Sequence, residues 1–303
     1  MSEQDEKESV YENTNGMPMA NGKNLHMDTG PGDMGNLVVN VGSLSRATTI
    51  ATLLKDSRRI DSSRGFTTFT GVYNGKKVSV VAIGMGVAMM DFFVRETRAV
   101  VDGPLVTIRY GTCGGVSTSP SAGSVVVVEK SGLLTRNPDA FAHLYGEGDS
   151  ATNNEKPYRW SQLAPANAAL TDRLEACLGD VLGAEGVSIS RGVNVTADSF
   201  YGSQGRVDDK FLDANATLID ETRAHYGAIT GVADSIHSME MEAFQLLHLA
   251  RCADAKTPII AAAAAIVVAD RATSKVIDEA TLKSLELKGG RAVLDALTSI
   301  ELP

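Results

Sequence analysis

The sequence lacks the features that mark membrane, secreted and nucleic-acid-binding proteins. No apolar run is long enough to span a bilayer, and the first residues contain no signal-peptide hydrophobic segment. The only cysteines, Cys113, Cys177 and Cys252, are far apart and form no CxxC pair, which indicates reduced thiols. Lys and Arg number 28 against 37 Asp and Glu, and the resulting net charge of −9 disfavours nucleic acid and anionic membranes as partners. We therefore expect a cytoplasmic globular protein.

Motifs for metals and redox cofactors are also missing. The five histidines show no metal-ligand spacing, so the sequence predicts no metal site. Gly84-Met85-Gly86 follows an apolar run as in a dinucleotide fingerprint, but Met89 stands where the third glycine belongs. A dinucleotide-dependent oxidoreductase is therefore a distant alternative. Cys113 has no histidine near it in the sequence, so packing explains it better than a nucleophilic role.

What the sequence does contain is an alternation of β-rich runs and helical stretches. Residues 1–24 are polar and nearly free of β-branched side chains, which predicts a flexible tail, with a single domain over residues 25–303. Runs such as Val125–Val128 are apolar at every position, which is typical of strands covered on both faces. Asn74-Gly75 lies between two alternating runs and predicts a hairpin. We expect an α/β fold, with a central twisted mixed sheet flanked by helices.

The patterns also predict the bounds of the individual elements. The predicted strands are residues 37–41, 66–73, 77–83, 104–109, 123–130, 187–196, 216–220 and 257–268. The predicted helices are residues 45–55, 88–102, 165–182, 206–214, 238–252 and 277–298.

Two glycine-containing turns follow predicted strands and carry an arginine each. Gly42 precedes a helix that contains Arg46, and free N–H groups at a helix start favour an anion. The alternative is a plain turn with Ser43 or Ser45 as the N-cap and Arg46 on a solvated face. Arg109 ends another strand before a multi-glycine turn, where it binds either a phosphate or a structural carboxylate.

Two later segments carry polar groups suited to a nucleoside. Gln204 and Arg206 together offer an acceptor and several donors, which fits a planar amide-like edge, although a plain polar loop has the same composition. Glu242 begins an apolar helix, where a carboxylate either caps the helix or binds a pair of sugar hydroxyls.

The order of these motifs carries more information than any one of them. Along the chain come GSxxR, the RGFTT segment, RxGTxGG, FYxxQxR, MEMEA and a buried strand ending in Asp270-Arg271. This series, from about His26 to Arg271, resembles the nucleoside phosphorylase superfamily of single-domain α/β enzymes. The Gln-x-Arg element is similar to that of the uridine-specific branch.

The resemblance implies a role for each matching residue. The implied phosphate-binding residues are Gly42, Arg46, Arg64, Arg109 and Thr112. The implied ribose-binding residues are His26, Thr112, Glu240, Met241 and Glu242. Phe200, Gln204 and Arg206 are implied to contact the base, and Arg109, Gln204 and Arg206 to carry catalysis. In the family, the counterparts of His26 and Arg64 are donated across a subunit interface, which implies a homo-oligomer, at least a dimer, with shared active sites.

The implied activity is reversible phosphorolysis of uridine to uracil and ribose 1-phosphate in pyrimidine salvage, with 2′-deoxyuridine left open. Orthophosphate is then a co-substrate, and no cofactor is implied. Gly65 and Met89 replace family residues that hold an interface cation, so no cation site is predicted. Asp270 falls where purine enzymes carry an acid, which keeps a purine nucleoside phosphorylase as one alternative. A catalytically silent nucleoside-binding subunit is another, and a nucleosidase that uses water is a third, although the three arginines argue against it.

Overall fold

The protein alternates strands and helices throughout the described residues. The computed structural model describes residues 11, 15–117, 120–145 and 155–301. The helices are α1 (Leu44–Ala51), α2 (Val87–Val100), α3 (Ala168–Val181), α4 (Leu218–Thr230), α5 (Ala243–Cys252) and α6 (Glu279–Ser299). The strands are β1 (Met19–Ala20), β2 (Lys23–Asn24), β3 (Leu37–Val41), β4 (Lys55–Asp61), β5 (Thr67–Tyr73), β6 (Lys76–Ala82), β7 (Leu105–Gly115), β8 (Val125–Arg136), β9 (Tyr158–Trp160), β10 (Ala164–Pro165), β11 (Ile189–Ala197), β12 (Ile236–Glu240), β13 (Ile259–Asp270) and β14 (Lys275–Val276).

One large mixed sheet forms the centre of the fold. Its strand order is β14-β13-β8-β11-β12-β7-β3-β6-β5-β4, and β13 also pairs with β7. Because of this second pairing, five strands close into a ring (β7, β13, β8, β11 and β12), and the strands from β3 to β4 extend from it. β13 runs parallel to β7 and antiparallel to β8. The predicted α/β fold with a central mixed sheet is confirmed.

Helices cover both faces of this sheet, as the continuous apolar runs predict. Ile50 of α1 and Val293 of α6 belong to one buried cluster, and Phe93 of α2 belongs to another. Successive residues of β3 point into different clusters, with Val38 in the second and Val39 in the first. Both faces of the strand are therefore buried, which explains why polar residues do not alternate along it.

The hairpin at Asn74-Gly75 forms as predicted. Tyr73 pairs with Lys76 across the turn, so the loop contains two residues. Both turn residues have positive φ, 48° at Asn74 and 74° at Gly75. Asn and Gly tolerate this left-handed conformation best, which is why the dipeptide specifies the turn.

Several predicted elements are wrong in type or position. Residues 216–220 do not form a strand, because helix α4 begins at Leu218, and residues 206–214 form a loop instead of a helix. The start of the predicted helix 238–252 belongs to β12, which is buried between β11 and β7. Strand β4 was not predicted because it is a charged and largely exposed edge strand without an apolar pattern.

The structure also describes residues before the predicted boundary at residue 25. Residues 1–10 and 12–14 lie outside the described residues, but β1 and β2 pair as a short hairpin. The buried Asn24 side chain donates to Thr29 Oγ1 at 2.9 Å and to the Glu96 carbonyl at 3.2 Å. These polar contacts supply the anchoring that the segment lacks in apolar side chains. Within the described residues, no helix is both long and apolar enough to cross a bilayer.

Candidate active site

A cavity of about 400 Å³ lies where the C-terminal ends of several strands meet. Most of its walls come from residues at or just after the ends of β3, β6, β7, β11, β12 and β13, the usual place for ligands in α/β sheets. Arg109 lies inside β7, because that strand continues to Gly115 where the sequence predicted a turn. The predicted site residues that line it are Gly42, Arg46, Arg109, Thr112, Phe200, Gln204, Arg206, Glu240, Met241 and Glu242. Of the predicted set, His26 and Arg64 lie outside it.

The turn after β3 and the start of α1 place Arg46 at the cavity. Ser43 is the N-cap of α1, with its Oγ accepting from the Arg46 backbone N–H at 3.2 Å. Arg46 is nevertheless buried, so the alternative that placed it on a solvated face is wrong. Its Nη1 donates to the Tyr110 carbonyl at 3.2 Å, which brings α1 against β7. A buried guanidinium at a cavity wall is a strong donor for an anion.

Arg109 also lies buried at the cavity wall, and it has carboxylate partners. Its Nη2 donates to Glu242, and its Nε lies 3.5 Å from Glu240 Oε2. Its Nη1 also reaches Asn40 Oδ1 at 3.4 Å. Arg109 therefore has the carboxylate partners that one interpretation expects, and it also borders the cavity in which the other interpretation places an anion.

Glu240 makes its hydrogen bonds inside the protein. Its Oε1 accepts from Asn194 Nδ2 at 2.8 Å and from Thr196 Oγ1 at 2.6 Å. Its Oε2 accepts from the backbone N–H groups of Glu242 and Ala243, both at 2.9 Å. Such a carboxylate stabilises the start of α5 and fixes the backbone that carries Glu242. The predicted contact of Glu240 with ribose stays a prediction.

Glu242 occupies the N-cap position of α5 without capping it. Its side chain makes no capping hydrogen bond, and Oε1 accepts instead from the Gly86 N–H at 2.6 Å. Burial raises the pKa of Glu242 to about 7; the Arg109 cation opposes this shift, and the Glu240 carboxylate adds to it. The carboxylate is therefore held by donors at the cavity wall, where it can accept from two hydroxyls when ionised.

A second polar group lies on the loop after β11. Arg206 Nη1 donates to Gln204 Oε1 at 2.8 Å, and Arg206 Cζ lies 3.7 Å from the Phe200 ring centroid. Burial lowers the pKa of Arg206, and the nearby Arg271 cation lowers it further. Because Arg206 Nη1 donates to Gln204 Oε1 and to the Phe200 carbonyl, the donors that these bonds leave for a ligand are the amide nitrogen of Gln204 and the Nε and Nη2 groups of Arg206.

Two residues without a predicted role support this loop. Arg271 donates from Nη1 to the Gln204 carbonyl at 2.8 Å and from Nη2 to the Gly205 carbonyl at 3.2 Å. The buried Asn215 donates to the Arg206 carbonyl at 2.9 Å. A charged residue directly after an apolar strand is a signal that marks Arg271, whereas no local pattern marks Asn215.

His26 and Arg64 lie on other parts of this chain. His26 Nδ1 is 2.5 Å from Glu96 Oε1, and its ring stacks on Phe92 with a centroid distance of 4.0 Å. Arg64 is exposed in the loop between β4 and β5. Since the structure describes one chain, the donation of both residues to a neighbouring subunit stays a prediction.

Cys113 lines the cavity but carries an inert thiol. The side chain is buried, and burial raises the pKa of the thiol far above its usual range. A thiol that stays protonated is a poor nucleophile. The interpretation of Cys113 as a packing residue is therefore the better one.

Comparisons with known proteins place the chain in a family. The family model described as the phosphorylase superfamily matches residues 36–299. A DeoD-type purine nucleoside phosphorylase of Vibrio cholerae is 30% identical over 204 residues, which are 67% of this chain and 78% of that protein. A DeoD-type purine nucleoside phosphorylase of Proteus mirabilis is 36% identical over 104 residues, 34% of this chain and 43% of that protein.

Solved structures resemble the whole fold. A structure from a study of two uridine phosphorylases of the oomycete Phytophthora capsici superposes with a TM-score of 0.88 and 39% identity, covering 97% of this chain and all of that one. A Trypanosoma brucei nucleoside phosphorylase superposes with a TM-score of 0.75 and 20% identity, covering 94% of this chain and all of that one. At this identity the likeness shows only that the two proteins share a fold. The chain therefore belongs to the phosphorylase superfamily and is a nucleoside phosphorylase, an enzyme of the pentosyltransferase class.

Proposed function

We propose that the protein is a uridine phosphorylase, which converts uridine and orthophosphate to uracil and ribose 1-phosphate and back. One observation carries this proposal: a single cavity holds Arg46, Arg109 and Thr112 for an anion together with Gln204 and Arg206 for a base. The 39% identity to the Phytophthora structure supports the same assignment. We assign the reaction to cytoplasmic pyrimidine salvage. Whether 2′-deoxyuridine is a second substrate is a question for the assay below.

In the proposed mechanism, phosphate is itself the nucleophile. A phosphate oxygen forms a bond to C1′ of the ribose while the C1′–N1 bond breaks, and the electron pair of that bond leaves with uracil. Arg46 and Arg109 hold the phosphate, and Glu242 accepts from the ribose hydroxyls. Arg206 and Gln204 donate to the uracil oxygens, where the negative charge develops. Because positioning and charge stabilisation supply the rate, no side-chain nucleophile is needed.

The hydrogen bonds and the negative charge of Asp270 support uracil over a purine as the base. Its Oδ1 accepts from the Ala272 N–H at 2.9 Å, and its Oδ2 accepts from Thr273 Oγ1 at 2.7 Å. The Thr273 hydroxyl bond is the main cause that lowers the pKa of Asp270, so the group stays ionised at neutral pH. An ionised carboxylate that caps a turn is a poor acid for protonating a purine ring.

A purine nucleoside phosphorylase is the second candidate. The curated relatives from Vibrio cholerae and Proteus mirabilis carry that name. Against it stand the donor pair of Gln204 and Arg206 and the Asp270 carboxylate, whose oxygens already accept hydrogen bonds within its own turn.

We also propose that the enzyme works as a homodimer or a larger oligomer with shared sites. His26 and Arg64 lie outside the cavity of their own chain. The proposed dimer brings both residues of one subunit to the site of the other, where Arg64 adds a third arginine to the phosphate and His26 contacts the ribose 5′-hydroxyl.

The test is release of free base, followed by absorbance, with uridine, 2′-deoxyuridine, thymidine and inosine, each with and without orthophosphate. We expect phosphate-dependent release of uracil from uridine and little reaction with inosine. Faster cleavage of inosine than of uridine contradicts the proposal and favours the purine enzyme. Uridine that binds in calorimetry without turnover indicates a silent binding subunit.

A further inference from the structure

Arg46 lines the cavity and also belongs to a buried ion pair. Its Nε donates to Glu286 Oε1 at 2.9 Å, and both side chains are less than 10% exposed. Its Nη1 donates to the Tyr110 carbonyl at 3.2 Å. Arg46 lines the cavity, whereas Glu286 lies behind it and is absent from the lining.

Close packing of α6 against β7 and α1 places Glu286 next to Arg46. A Cβ atom on Gly289 would lie 1.8 Å from Tyr110 Oη, and a Cβ atom on Gly290 would lie 2.5 Å from Ile50 Cγ1. Tyr110 Oη donates to the Leu285 carbonyl at 2.8 Å. The glycine pair thus lets α6 press against β7 and α1, and the tyrosine bond anchors the helix one residue before Glu286.

This arrangement fixes the direction of the Arg46 guanidinium. An arginine carries five N–H donors in one plane, so bonds from two of its nitrogens, Nε and Nη1, determine where the other donors point. Among the described residues, the Nη2 group of Arg46 makes no hydrogen bond, so its two N–H groups and the second N–H of Nη1 are the donors left for a ligand of the cavity. Separating Arg46 from Glu286 would leave two buried charges uncompensated. Because this costs free energy, the contact between the two side chains persists.

We propose that Glu286 is a positioning residue for phosphate binding, which acts by orienting the guanidinium of Arg46 toward the cavity. The inference rests on the proposed function for its substrate, inorganic phosphate, but it concerns a residue that does not touch the ligand. Replacing Glu286 therefore weakens the binding of phosphate, and it does so only by changing the orientation of Arg46.

The experiment compares Glu286→Ala with Glu286→Gln. Alanine removes the acceptor, so we expect the KM for phosphate to rise about tenfold while the KM for uridine stays within about twofold. Glutamine keeps an oxygen for the Arg46 Nε, so its KM for phosphate stays within about threefold of wild type. Asp295→Ala is the matched control on α6, because Asp295 accepts from Tyr73 Oη at 2.9 Å and does not contact Arg46. It leaves both KM values unchanged.

Dependence on Arg46 is tested in a double variant. In an Arg46→Ala background, adding Glu286→Ala is expected to leave the KM for phosphate unchanged, because the residue through which Glu286 acts is gone. An equal rise in both backgrounds, an equal rise for phosphate and uridine, or an unchanged KM for phosphate in Glu286→Ala overturns the inference. If Glu286→Ala does not fold, a KM for phosphate that is at least tenfold higher in Glu286→Gln than in wild type also overturns it.

Direct binding of inorganic phosphate separates this inference from the proposed function. Calorimetry with the wild type, Glu286→Ala and Glu286→Gln needs no turnover. Phosphate binding that weakens about tenfold in Glu286→Ala supports the inference even if uridine is not cleaved. Equal binding by the wild type and Glu286→Ala overturns the inference even if uridine phosphorolysis is established.

Discussion

At the scale of single residues, the site depends on charges that the protein has removed from water. Arg46, Arg109 and Glu242 are each at most 5% exposed, yet each lines the cavity. Arg109 pairs with Glu242 inside the protein, so the proposed phosphate and ribose must compete with a contact that the two residues already make. Buried charges of this kind are costly unless they are paired, and their partners are therefore part of the site.

Glu242 gives a prediction about stability and pH. Since its pKa in the fold is raised from the ordinary value near 4.5 to about 7, the folded state favours the protonated form in this range. The contribution of Glu242 to the free energy of unfolding therefore falls as the pH rises from about 4.5 to about 7. Glu242→Gln removes this contribution, so the variant gains stability relative to wild type over that interval. Urea unfolding at several pH values measures the difference, and parallel curves for the two proteins contradict the prediction.

Arg206 gives a prediction about catalysis. Arg206→Ala removes a donor from the place where charge develops on the departing base, so we expect kcat for uridine to fall about 100-fold. The exposed Lys210 on the same loop provides the control, and Lys210→Ala keeps full activity. Steady-state rates of uracil release give the comparison. An Arg206→Ala enzyme with a normal kcat and only a raised KM argues against a role in the transition state.

At the scale of elements, the loop after β11 depends on contacts from distant strands and helices. Arg271 at the end of β13 holds the carbonyls of Gln204 and Gly205. We expect Arg271→Ala to raise the KM for uridine about tenfold and to leave the KM for phosphate unchanged, because the base-binding donors lose their fixed positions. Lys275→Ala, at an exposed position of β14, is the control. An increase confined to the KM for phosphate contradicts this prediction.

Helix α6 depends on its two glycines. Gly289→Ala places a methyl group on Tyr110 Oη and is expected to lower the free energy of unfolding by about 3 kcal/mol. A methyl group on Gly179 of α3 would meet no atom of the described residues within 4 Å, so Gly179→Ala is expected to be neutral or to stabilise by up to about 1 kcal/mol. Chemical denaturation of the two variants makes the comparison, and equal effects argue against close packing of α6.

At the scale of the whole molecule, the proposed shared sites predict complementation between impaired subunits. Arg64→Ala and Arg46→Ala are each expected to leave only a small residual activity. A hybrid dimer keeps one site that combines an intact Arg46 with an intact Arg64 from the other subunit. Random mixing makes half of the dimers hybrids, so co-refolded proteins recover about a quarter of wild-type activity if subunits associate without preference. Mixtures as inactive as their parents rule out donation of Arg64 across the interface.

The sequence by itself determined the features that depend on local patterns. The apolar runs of β8 and β13 specify buried strands, and Asn74-Gly75 specifies a turn, because burial on both faces and positive φ each restrict the residue types allowed. The order of the motifs indicated the family, and the resemblance implied ten of the residues that line the cavity.

Only the tertiary structure decided which partners the charged residues have. The ring closed by β7 and β13 and the packing of α6 depend on contacts between segments far apart in the chain. Glu286 is 240 residues from Arg46, and no local pattern relates the two. Their pairing follows from how closely α6 approaches β7 and α1, which is a property of side-chain volume in the folded core.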